Sequence, residues 1–157
     1  MSPYVRSAIA GGLQGGVAAL VLEVADIVIS DFIDILLCFA FMACGFLAAR
    51  HFAMSQGRAI TGGEGVGLGA LAGAVGGFLT AAGISIMILS GFGPGQEEIN
   101  EAIAATGTME GPAAKAVEFV ITYIHVVILV TITAMGSVLG LIGGALGWRV
   151  WRPRSEE

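Results

Sequence analysis

The chain reads as an all-α, polytopic integral membrane protein: a four-transmembrane-helix bundle with glycine-rich helix interfaces. Three observations predict this. Four long apolar runs occupy most of the 157 residues. The composition is 56% hydrophobic and only 12% charged, with mean hydropathy +0.90, too little charge to cover a water-soluble domain of this size. Every arginine falls on one side of the pattern. Arg6 precedes the first run, Arg50 and Arg58 lie between the second and third, and Arg149, Arg152 and Arg154 follow the fourth. The other two connections hold no arginine and the single lysine, Lys115. The positive-inside rule then predicts that both termini are cytoplasmic, in a bacterial or archaeal plasma membrane.

The first span is expected over about 7–30, with Ser2 and Pro3 as N-cap and first helical position. Gly11, Gly12, Gln14, Gly15 and Gly16 interrupt its apolar run, which makes it a poor signal-peptide core. The second span is expected over about 32–49, so close behind the first that the two form a tight hairpin, with Asp31 and Asp34 in its first turn. It carries both cysteines. Cys38 and Cys44 point to different helix faces, which disfavours a disulfide between them.

The third span is expected over about 65–90. Thr61-Gly-Gly-Glu64 in front of it has the spacing of a capping box. His51 to Gly63 reads as a short inner loop, with His51 solvated. The outer loop, 91–111, is the longest connection, and Gln96–Thr106 reads as one short helix within it. The fourth span is expected over about 117–148, longer than a bilayer requires, so it must tilt or project. Trp148, Trp151 and Tyr4 mark the inner interface. All four prolines lie outside the spans, so none kinks a membrane helix. These elements make 1–157 a single transmembrane domain. A weak parallel duplication relates Gly12–Val17 to Ala70–Val75, with small residues in register.

On a helical wheel the small residues gather. In the third span Gly62, Gly65, Gly69, Ala72, Gly73, Gly76, Thr80, Gly83 and Ser90 share a face, and Gly62, Gly69, Gly76 and Gly83 repeat every seven residues as in a glycine zipper. In the first span Ala8, Gly12, Gly15, Gly16 and Ala19 share a face; in the fourth, Gly136, Gly140, Gly143 and Gly147 do. Glycine inside a helix costs about 1 kcal/mol relative to alanine. Close backbone approach between helices is the compensating gain. One expectation is packing within the bundle. The other is that a glycine face, that of the third span above all, meets another copy or another membrane subunit.

Most acids have ordinary roles at caps or in solvated loops. Glu23, Asp26, Glu118 and His125 do not. Glu23 and Asp26 share a face with Gly12 and Gly16, and Glu118, Thr122 and His125 share one with Gly136, Gly140 and Gly143. Asp26 lies roughly 30 Å along its helix from Arg6, and His125 roughly 34 Å from Trp148, so both fall near the outer edge of the hydrocarbon. Ionisable groups in a span turn toward partners or water. The simpler expectation is a hydrogen-bonded group that fixes helix register. The sharper one is an outward-open cluster of Glu23, Asp26 and His125, with Thr122 and Glu118 at its rim, that binds a cation, passes protons or holds a transition metal. It requires Glu23 and His125 to face each other.

The pattern contains no phosphate-binding glycine loop, no zinc-spaced Cys/His set and no nucleophile placed with a base. No catalytic residue, metal site or cofactor is therefore expected, and no basic-aromatic patch points to nucleic acid. The functional expectation is a small non-enzymatic membrane subunit, whose partners are the lipid bilayer and either further copies or other membrane subunits. The alternative is a small cation or proton channel or carrier.

Overall fold

A computed structural model describes residues 1–26, 33–91, 97, 100–101, 104–105 and 111–151. The protein is all-α. Helix α1 spans Pro3–Asp26, α2 Ile33–Gln56, α3 Gly62–Leu89, α4 Pro112–Thr122 and α5 Ile124–Trp151. Four of them, α1, α2, α3 and α5, are long and apolar enough to cross a membrane. The chain is thus a multi-pass integral membrane protein.

Local chemistry sets the helix ends. Pro3 opens α1, and the Val5 amide donates to Ser2 Oγ at 3.4 Å, as an N-cap requires. The second helix runs seven residues past the expected end at 49. Arg50 and His51 are polar without being helix breakers, and α2 stops only where Gly57 turns to φ +59° and donates its amide to the Ala53 carbonyl. His51 is therefore a helical residue, not a loop residue. At the start of α3 both capping-box bonds form: the Glu64 amide donates to Thr61 Oγ1 at 3.3 Å, and the Thr61 amide donates to Glu64 Oε2 at 2.8 Å.

The long fourth span is two helices. The Tyr123 amide still bonds back to Phe119, but Tyr123 itself is a turn, and its carbonyl then accepts from both Val126 and Val127. The first part of the expected span, 117–122, thus belongs to the separate helix α4, while α5 alone still has 28 residues. Within the expected outer-loop helix, Glu97, Asn100, Glu101, Ala104 and Ala105 are helical; its other positions lie outside the described residues, as do Ser30, Asp31 and the turn between the first two spans.

The helices form two antiparallel hairpins, α1–α2 and α3–α5, set side by side with α1 against α3 and α2 against α5. The square is skewed. α2 and α3 meet across the short diagonal, while α1 and α5 stand at the ends of the long one without extended contact. The core contains few large side chains. Phe41, Leu68, Cys44, Thr80 and Ile60 are its largest fully buried members, and alanines and glycines fill the rest.

Candidate functional site

The glycines identify the neighbour at each seam, since a Cβ added to them would strike it. On α1, Gly11 and Gly15 lie against α2 at Ala48 and Cys44, while Gly12 and Gly16 lie against α3 at Ala72, Val75 and Gly76. One turn of α1 thus serves two neighbours. On α3, Gly65, Gly69, Gly73 and Gly77 follow α5, where a Cβ on Gly65 would come within 2.8 Å of the Gly144 carbonyl oxygen. Gly62 lies under the Trp148 ring, Gly76 beside Cys44 and Gly12, and Gly83 beside Leu20 of α1. The seven-residue repeat therefore meets three different helices.

On α5, Gly136, Gly140 and Gly144 return the contacts to α3, and Gly143 and Gly147 face α2 at Met42, Phe46 and Ala49. Gly45 of α2 sits directly on the Gly140 carbonyl. Among the described residues, two hydroxyls bond across seams: Ser137 Oγ donates to the Ala70 carbonyl at 3.1 Å, and Thr80 Oγ1 reaches the carbonyls of Gly76 at 3.0 Å and Gly16 at 3.5 Å. Every packing glycine marked in the sequence thus meets a helix of its own chain. Three glycine faces serve one bundle in which α3 and α2 each meet α5 backbone to backbone, and α2 meets α3 through the Cys44 side chain at Gly76. Gly77, at Ile132 and Thr133, belongs to the same seam but falls outside the wheel face drawn for the third span.

The polar residues lie at the opposite end from the arginines. Glu23 sits half-buried near the end of α1, and the side chain of Asp26 lies outside the described residues. His125 is half-buried at the start of α5, and its Nδ1 is buried without a hydrogen-bond partner among the described residues. Glu118 and Thr122 are exposed on α4, beside the ring pair Phe119–Tyr123. Glu23 and His125 lie at the same end of the molecule, on α1 and α5, the two helices of the long diagonal. Among the described residues, no three of His, Cys, Asp and Glu form a group suited to a metal. Cys38 and Cys44 are free thiols, the latter buried and donating to the Ala40 carbonyl.

At the arginine end, Arg58 forms a two-pronged ion pair with Glu64, its Nη1 3.1 Å from Oε2, and stacks over the Phe52 ring. This bond to the carboxylate raises the Arg58 pKa above its ordinary value. Phe52 in turn meets the Tyr4 ring edge-on at 5.6 Å. Tyr4 therefore packs onto α2. On the outer side of the α1–α2 seam, His51 Nε2 lies 3.3 Å from Gln14 Oε1, which accepts from the Nε2–H tautomer. The sequence signal for this pair is Gln14, a polar residue within a span; its partner becomes evident only once α2 is seen to continue through His51.

Comparison with family models, with curated proteins and with solved structures finds no match to this chain.

Proposed function

We propose that the protein is a non-enzymatic membrane interaction subunit. The observation that carries this reading is the contrast between its closed interior and the exposure of α5. Only 17% of the apolar window of α5 lies buried, against 33% for α1, 39% for α3 and 44% for α2. A glycine face binds α5 to α3 and α2, while Val126, Val130, Val138, Ile142 and Leu146 point away from the bundle. The backbone approach of α3 and α2 to α5, with the Cys44 side chain filling the α2–α3 contact at Gly76, leaves that axis no room for a conduit. Function then belongs to the outer surface, and the α5 face is the one offered to another copy or another subunit. By the arginine distribution the termini face the cytoplasm.

Gentle extraction from the native membrane, with a photoreactive residue at Val130 or Val138, tests this reading. Crosslinks to a protein from these positions, and none from Val17 or Val21 of α1, are expected. Native mass spectrometry then separates identical copies from foreign chains. A monomer crosslinked only to lipid from all four positions would remove the reading.

A second reading, a cation or proton carrier, retains one supporting observation: the unpartnered, buried His125 Nδ1. Any such path would run between copies. Liposome flux that is lost in Glu23→Gln with assembly intact would favour it, and equal flux with and without the protein would end it.

A further inference from the structure

Two adjoining depressions open on the lipid-facing side of the α1–α2 seam, at the arginine end. One, of about 310 Å³, is lined by Arg6, Ser7, His51 and Ser55; the other, of about 520 Å³, by Gln14, Arg50, His51 and Ser55. They share His51 and Ser55, so they form one groove with an arginine from each helix. No acid lines it. Arg58 is neutralised by Glu64, whereas Arg6 and Arg50 are exposed and have no carboxylate partner among the described residues.

The groove is also graded. Arg6 stands at its outer mouth, and Gln14 lies eight residues, about 12 Å, deeper along α1. Beyond Gln14 the exposed residues of α1 are apolar: Val17, Ala18, Val21 and Val24. Gln14 Oε1 is taken by His51, which leaves its amide N–H groups free to donate into the groove. The walls are firmly held, because Gly11 and Gly15 fix α1 directly on the α2 backbone. Two unneutralised guanidiniums, hydroxyl and amide donors between them, and an apolar track leading inward match an amphiphile with an anionic head.

We infer that this groove binds the phosphate of an anionic phospholipid, with Arg6 and Arg50 flanking the headgroup and an acyl chain along Val17 and Val21. A free phosphate would use the same cations, but it would leave the apolar track unused and sit on an open surface. Basic pockets between membrane helices at the headgroup level are suited to such lipids.

The test uses the full chain in neutral detergent, with phosphatidylglycerol, phosphatidylcholine and soluble glycerol phosphate as probes in native mass spectrometry. Retention of phosphatidylglycerol over phosphatidylcholine is expected. The double variant Arg6→Gln/Arg50→Gln should lower that retention at least roughly tenfold, given the usual worth of each basic residue at a membrane surface. Arg149→Gln, at the same end but outside the groove, should leave it unchanged. An equal loss in Arg149→Gln would mean diffuse surface charge and would overturn the site. Displacement by glycerol phosphate at equal concentration would assign the groove to a soluble anion instead of a lipid. In the unaltered protein, a diazirine-bearing phosphatidylglycerol should label α1 around Val17 and Val21; labelling confined to α3 and α5 would equally overturn the proposal.

Discussion

The glycines of α3 are not equivalent, and the difference lies in what each would strike. A Cβ at Gly73 would meet the carbonyl of Gly136 and come within 3.0 Å of the Gly140 Cα, backbone atoms that cannot rotate away. At Gly83 the nearest atoms it would meet belong to the Leu20 side chain, which can change rotamer. At Gly63 it would meet nothing within 4 Å. Gly73→Ala should therefore destabilise the protein by about 1–3 kcal/mol, the usual cost of overpacking. Gly83→Ala should cost less. Gly63→Ala should be neutral or stabilise by up to about 1 kcal/mol, because alanine is the better helix former. Thermal unfolding of the three variants in one detergent measures the order; equal shifts would contradict the α3–α5 seam. Gly57 differs again: at φ +59° any side chain is strained, so Gly57→Ala should cost about 1–2 kcal/mol although the space is open.

At the scale of the element, the entry to α3 is the most local feature of the fold. Thr61 and Glu64 satisfy each other's backbone donors, and Glu64 also holds Arg58. Thr61→Ala should cost about 1 kcal/mol and Thr61→Ser should restore most of it, read by the same unfolding measurement. A full-stability Thr61→Ala would show that packing alone starts the helix. This cap was legible in the sequence because its parts are three residues apart. The spans were legible because apolar length and glycine punctuation are local too. The end of α2 was not, since Arg50 and His51 look like loop residues until the chain is seen to stay helical to Gly57. The break at Tyr123 has no proline or glycine to announce it. A helical wheel finds the face that holds Gly69 and Gly76 but cannot say that one meets α5 and the other α1 and α2. It places Glu23 and His125 on small-residue faces, but which helices become neighbours depends on how hairpins pack.

For the whole molecule, side-by-side hairpins impose a definite sidedness. Met1, the α2–α3 connection and the end of α5 must emerge together, and the α3–α4 connection must emerge opposite. At 28 residues each, α3 and α5 extend about 42 Å, more than a hydrocarbon core of about 30 Å, so their ends reach water on both sides. Both native cysteines lie within α2, Cys44 fully buried, so an impermeant maleimide should reach neither and the unaltered protein is its own control. In vesicles of known orientation, Ser2→Cys and Arg149→Cys should label from the same side, and Glu97→Cys from the other. Labelling of Ser2 and Arg149 on opposite faces would require an odd number of spans and would dismantle the two-hairpin arrangement. Same-side labelling from the cytoplasmic face would fulfil the arginine asymmetry as well. It would place the Arg6–Arg50 groove in that leaflet and the end bearing Glu23 and His125 in the opposite one, so the two regions could be probed by reagents added to different sides.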